Sequence, residues 1–261
     1  MKYYMRLWLL VVKRSLNRDM VHRPDFLTKV FRAFFVVATQ LLIVWGLFGE
    51  SGEVAGWSRN QFILLLGYYN LVNYLGWGIF NVNLWRLEER VMKGEFDYFM
   101  LSPAGSLFQA SFGEFFIDDA ITSLSGAVMV IYYFVAESES LSLWTIPLAI
   151  LMLIIALVIW YGLHLVVASI SLWKVETGFM DLMKGITRIG AFPTDIYPAA
   201  VQLILYTLFP VAFIATVPAE ILIGESAIWM VGVAASIAVL FLIVGIGMWR
   251  LMLNRYSSAG S

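Results

Sequence analysis

Three carboxylates, Glu114, Asp118 and Asp119, stand at the head of a long apolar stretch, Phe108 to Ala136. A charge at mid-membrane costs about 2.5–3.5 kcal/mol on insertion scales, so an acid in such a stretch faces protein or water and tends to be functional. On one continuous helix, Glu114 and Asp118 are four residues apart and share a face. Two placements follow. The three acids serve a pathway or a coupling site, or the span begins near Asp119 and they lie at its cytoplasmic edge, with basic residues of the first and fourth cytoplasmic segments as partners. A second charged set precedes them. From Trp85 to Pro103, charges of both signs alternate with apolar residues at helical spacing. Leu87, Val91 and Met92 are expected on one side, and Glu88, Glu89 and Lys93 on the other. Gly94 ends or bends that helix, and Pro103 marks the entry to the next element. A helix of this kind docks into a groove of a partner protein or rests on the membrane as a solvated connector.

Other chemistry finds no support. There is no G-x-x-x-x-G-K-[ST] loop, no H-E-x-x-H and no G-x-S-x-G, which argues against P-loop nucleotide binding, zinc hydrolysis and serine hydrolysis in this chain. Leu124-Ser125-Gly126 is a faint match to the signature loop of transporter ATPases, but it sits inside an apolar helix. The chain has 0 cysteines. No catalytic, cofactor-binding or metal-binding residue is expected, and no nucleic-acid partner. His22 and His164 are far apart in sequence, and His164, near the middle of an apolar segment, reads as a hydrogen-bonded packing residue. Asn70, Asn73, Asn81 and Asn83 accompany Gly76 and Gly78, a set suited to close helix contact and amide bridges. Gly232, Ala235 and Ala238 are expected at packing positions too.

The elements that must position these groups are membrane helices. Of 261 residues, 61% are hydrophobic and 13% charged, against roughly a quarter charged in a soluble domain. Residues 1–261 form a single transmembrane domain with six spans, near 30–48, 62–82, 108–136, 146–173, 199–217 and 227–249, and helices are the form in which such segments satisfy their backbone in lipid. The fold class is an all-α membrane protein. Residues 1–25 carry an interfacial helix: Lys2, Arg6, Lys13 and Asn17 share one side over residues 2–20, and the apolar run is too short to span. Of the 17 basic residues, 16 fall on one side of this topology and Arg59 alone on the other. Glu50, Glu53, Glu137, Glu139, Glu220 and Glu225 occupy the outer loops. The bias puts both termini in the cytoplasm. Trp45, Trp57, Trp144 and Trp229 are expected as anchors at the outer boundary.

Two motifs carry a resemblance. Gly94-Glu95-Phe96-Asp97-Tyr98-Phe99-Met100-Leu101-Ser102-Pro103 resembles the cytoplasmic segment of bacterial ABC-2 type permeases, which typically reads Gly-x-Leu-Asp, two or three apolar residues, then Pro. Phe96 stands where the family favours Leu, and Ser102 where a basic residue is common. Phe192-Pro193, Tyr197-Pro198, Leu208 to Phe213 and Val217-Pro218-Ala219-Glu220 together resemble the fifth-span signature of one subgroup. The resemblance implies a permease subunit of an ATP-driven exporter in the bacterial cytoplasmic (inner) membrane. Two permease subunits, identical or different, would form the pathway within membrane lipid. ATP and Mg would be bound by separate ABC ATPase subunits. Glu88, Glu89, Arg90, Gly94, Glu95 and Asp97 would couple to the ATPase, and the region of Pro210, Pro218 and Glu220 would form an outer gate. A stand-alone secondary transporter or channel is the competing reading. It would want more ionisable groups at mid-membrane and repeat symmetry. Sparse membrane charge favours an apolar or amphipathic cargo.

Overall fold

The computed structural model describes residues 2–20, 23–49, 52–138, 144–174 and 178–256. His22, Glu50 and Glu139 lie outside the described residues. The chain begins with α1 (Lys2–Met20) and α2 (Arg23–Phe48). A two-residue antiparallel ladder pairs Glu53 with Ser58 and Val54 with Trp57. Ser58 then caps α3 (Arg59–Gly76) in a capping box with Gln61, satisfying amides that a helix start leaves open. A π turn, Trp77–Asn81, leads into α4 (Val82–Trp85). Three short helices follow, α5 (Leu87–Met92), α6 (Phe96–Met100) and α7 (Ser106–Phe112). Next come α8 (Ile117–Ala136), α9 (Thr145–Ile170) and α10 (Phe179–Ile189). The chain closes with α11 (Ala199–Tyr206), α12 (Thr216–Ile223) and α13 (Met230–Leu253). Among the described residues, five helical stretches are long and apolar enough to cross a membrane: Phe31–Phe48, Arg59–Met92, Ile117–Ala136, Thr145–Ile170 and Met230–Leu253.

The most extensive pairings are α9 with α13 and α3 with α8. The second is tight because of Gly126, where an added Cβ would lie 2.5 Å from the Gly67 carbonyl oxygen and 2.6 Å from the Leu71 nitrogen. Small residues permit this backbone approach where lipid supplies no hydrophobic drive between helices. Gly232, expected at a packing position, has open space around it instead, while Ala238 is buried. His164 does pack: its Nδ1 is 2.9 Å from the Trp160 carbonyl and its ring lies against Trp160. Asn70 exchanges two hydrogen bonds with Gln40, at 2.9 and 2.7 Å, bridging α3 to α2. Trp45, Trp144 and Trp229 are exposed, as anchors would be, but Trp57 is buried and donates to Asp195 Oδ2 at 3.1 Å.

Two expectations are corrected. The third segment is not one helix from residue 108. It breaks at Gly113–Phe116, so α8 starts at Ile117 and Glu114 does not share a helical face with Asp118. The fifth segment, 199–217, is not one helix either. It divides into α11, a 3₁₀ turn at Val211–Ile214 and α12. Pro210 has no N–H to continue a ladder, which stops the helix there. Neither eight-residue helix exceeds about 12 Å at 1.5 Å per residue. All residues from Pro210 to Ala219 are buried, as irregular backbone at membrane depth must be.

Residues 178–198, part of a stretch expected as a loop, contain α10 and meet α3, α4 and the residues around them at a series of points in antiparallel order. Asp181 accepts from the Trp85 indole at 3.1 Å, and Lys184 lies 3.7 Å over the Trp85 ring and 5.3 Å from that of Trp77. Gly190 sits against Tyr69, Phe192 meets Phe62 at 6.2 Å, and Asp195 meets Trp57. Hydropathy missed this because one face of α10 is polar.

The helix contacts give a direct test. Gly126→Val should cost about 1–3 kcal/mol through overpacking, whereas Gly232→Val should be nearly neutral. Thermal unfolding in detergent reads both; equal losses would contradict the packing described.

Candidate functional site

The loop that breaks the third segment is the junction of one end of the bundle. Asn83 holds it by the backbone, its amide donating to the Glu114 carbonyl at 2.8 Å and its Oδ1 accepting the Glu114 N–H at 3.0 Å. The Phe116 N–H donates to the Gly78 carbonyl of the π turn at 2.9 Å, and Phe115 N–H to Ser15 Oγ of α1 at 3.2 Å. The Glu114 carboxylate then meets three guanidinium groups. Arg90 is closest at 2.7 Å, followed by Arg86 at 3.4 Å and Arg18 at 3.5 Å. Arg86 also covers the Phe116 ring at 4.9 Å, and Arg90 the Phe99 ring at 5.2 Å. One carboxylate thus ties α1, the α4–α5 junction and α5 to the start of α8.

The other two acids do different work. Asp119 accepts from Arg32 of α2 at 2.9 Å. Asp118 and Asp119 both lie in the first turn of α8, where negative charge is favoured by the helix dipole. Asp118 and Asp119 thus stand at the N-terminal end of α8, and Glu114 three residues before it. The arginine partners from α5 were not legible, because only the fold brings residue 90 to residue 114.

The Trp85–Pro103 segment is amphipathic on both sides. Leu87, Val91 and Phe96 are buried, and Gly94 ends α5 at φ +71. Phe96 is fully buried among aromatic rings, 5.9 Å from Phe99, 5.9 Å from Trp249 and 5.0 Å from Tyr256. Asp97 accepts from the Tyr256 hydroxyl at 2.9 Å. Burial, then this carboxylate, pushes the Tyr256 phenol up to about 12. Arg90 and Asp97 are therefore engaged within the chain, whereas Glu89 and Glu95 are exposed and Glu88 half-buried. Glu89 pairs with Lys93 across one turn. Met92 departs from the expectation and is 51% exposed, beside Tyr98 at 75%, Met100 at 45% and Leu101 at 82%. The sequence pattern groups Met92 with Leu87 and Val91 and assigns no side to Tyr98, Met100 or Leu101, so this apolar outer face went unread.

At the far end of the bundle, Pro210 and Pro218 are buried. Glu220 accepts from Ser226 Oγ at 2.7 Å, and its carbonyl takes the Glu225 N–H at 2.9 Å, closing the turn after α12. Gln61 at the start of α3 reaches Glu225 at 3.5 Å. The acids and prolines thus form two separate sites joined by α3 and α9. Among the described residues no group of His, Asp or Glu is arranged to hold a metal ion.

A family model described as ABC-2 family transporter protein matches residues 34–260. Comparison with curated proteins and with solved structures finds no match.

The two kinds of ion pair predict different energetics. A double-mutant cycle on Arg90 and Glu114, using Gln at both positions, should give a coupling of about 1.5–3 kcal/mol, as for hydrogen bonds to charged groups. The exposed Glu89–Lys93 pair should give a much smaller coupling, because solvent screens it. Similar couplings for both would remove Glu114 from its place as the junction.

Proposed function

The chain belongs to the ABC-2 family of transporter proteins, and from that premise we propose that it is the permease subunit of an exporter driven by separate ATPase subunits that carry ATP and Mg. Membership makes it a multi-pass membrane permease of an ABC transporter. Association with an ABC ATPase belongs to that family identity. Coupling, direction and the inner-membrane setting belong to the proposal. So does the division of labour in which this chain catalyses nothing and a second permease subunit completes the pathway.

One observation carries the coupling reading. The α5–α6 segment is anchored on one face by Leu87, Val91 and Phe96, while Met92, Tyr98 and Leu101 stand out beside Glu89 and Glu95 on the other. An apolar patch rimmed by charge marks an interaction site. Its inner face leads through Arg90 to Glu114, and so to α1 and α8. A push on the outer face is therefore delivered to the start of a membrane helix. Glu88, Glu89 and Glu95 are the contacts; Arg90, Gly94 and Asp97 hold the segment in shape.

We place six crossings in this proposal. The five long helices supply five, and the segment Phe179–Asp195 supplies the remaining one. The α11–α12 unit then enters the membrane from the outer side and returns, and Pro210, Pro218 and Glu220 belong to this outer gate. Both ends of the chain lie on the cytoplasmic side. The segregation of the basic residues outside α10 supports this orientation.

Reversing Glu88, Glu89 and Glu95 together to Lys should lower ATP-dependent transport in vesicles at least about tenfold, a 1.4 kcal/mol effect. Tyr98→Ala with Leu101→Ala should weaken co-purification with the ATPase. Transport by the chain alone, indifferent to ATP, would overturn the proposal in favour of a stand-alone transporter.

A further inference from the structure

A cavity of about 360 Å³ lies where α2, α3, α8 and α10 meet, beside the C-terminal half of α3 and the start of the π turn. This is the lower range for a small-molecule site. Its walls are unusual for a position flanked by spanning helices. Arg32, Lys184 and Arg188 line it, against a single lining carboxylate, Asp119. Asp119 is already matched by Arg32 at 2.9 Å. Lys184 leans on Asp181 at 3.3 Å, an acid whose side chain is 70% exposed and also takes the Trp85 indole N–H. Among the described residues, Arg188 has no carboxylate within ion-pair distance. The lining therefore carries an excess of positive charge beside the first turn of α8.

Neutral donors add to the charge. Tyr69, Asn73 and Tyr74 line the same space. Tyr69 is 8% and Asn73 9% exposed. Among the described residues, neither the Asn73 amide nor the two tyrosine hydroxyls has a hydrogen-bond partner. Their polar atoms open onto the cavity rather than being sealed in the protein, so all three are available to something that enters it. The outer sides of the flanking helices are apolar, with Phe31, Phe34 and Phe35 on α2 and Phe179 and Leu182 on α10 all exposed.

We propose that this cavity seats the phosphate headgroup of an anionic amphiphile, whose apolar chains lie along the exposed faces of α2 and α10. The guanidinium of Arg188 provides a planar pair of donors for phosphate oxygens. Lys184 adds a point charge, and Asn73 and the tyrosines complete the shell. A soluble anion shares the headgroup chemistry but has no use for the apolar faces. As a description of cargo, the inference rests on the permease reading; as a binding site, it stands without it.

The test uses the full chain in phosphatidylcholine nanodiscs doped with phosphatidic acid, with no ATPase and no ATP. Lipid retained through purification is read by mass spectrometry. The wild type should retain phosphatidic acid over phosphatidylcholine by about tenfold, the scale of one charge-assisted contact. Arg188→Gln and Lys184→Gln should bring the ratio close to one, and Arg188→Lys should restore part of it. Equal retention by the wild type, or an unchanged ratio in Arg188→Gln, overturns the proposal. Displacement of phosphatidic acid by inorganic phosphate also overturns it, in favour of a soluble anion. A second measurement needs no charge variant. Brominated phosphatidic acid should quench wild-type tryptophan fluorescence more than brominated phosphatidylcholine does, and Trp77→Phe should remove most of the difference; no difference in the wild type rejects the site. Binding without ATP-dependent transport would reject the permease reading alone, and transport without selective retention would reject this site alone.

Discussion

Hydrocarbon offers a backbone no hydrogen bonds, and this constraint organises the whole chain. Long apolar segments meet it by forming helices. The segment after α10 cannot, because Pro210 interrupts it. Its alternative is to be covered by protein, and every residue from Pro210 to Ala219 is buried. The covering comes from α3, α9 and α10, so these three helices are spaced by a piece of chain that lipid would not tolerate bare. Close glycine contacts, as between Gly67 and Gly126, close the rest of the bundle.

Ion pairs then decide how the ends of the helices are held. Glu114 has three arginine neighbours from two separate stretches of chain, and Asn83 fixes the backbone that carries it. Its weight comes from position rather than number. Arg90 is only 11% exposed at the side chain, so its charge depends on Glu114 in a way that the solvated Lys93–Glu89 pair does not. The acids singled out together by sequence have separated into an organiser of the junction between α1, α5 and α8, Glu114, and a tie between α2 and α8, Asp119.

What sequence revealed and what it did not divides along a physical line. Where the surroundings are lipid, hydropathy reports them, and the helices at 31–48, 117–136, 145–170 and 230–253 were legible for that reason. Where they are protein or cavity, it misleads. The stretch 199–217 is apolar because it is enclosed by other helices, not because it crosses as one helix. Helix α10 reads as a loop because Asp181, Lys184 and Arg188 lower its hydropathy, yet those polar groups face an indole and a cavity. The exposed face of Met92, Tyr98 and Leu101 escaped for the opposite reason, since apolar residues facing outward make sense only when a partner is present. The motif at Gly94 to Pro103 was readable, and so was the family, but the anchoring of Phe96 against Trp249 and Tyr256 needed the fold.

The π turn at Trp77–Asn81 gives α3 and α4 a property beyond packing. One residue inserted into a helix rotates all that follows by about 100°. The membrane half and the α4 half are thus two shafts with different angular settings, joined at a wide turn. That turn is fastened sideways: the carbonyl of Gly78 holds Phe116, and that of Ile79 takes the Asn83 amide at 3.3 Å. The setting of α4 is thereby tied both to α3 and to the foot of α8.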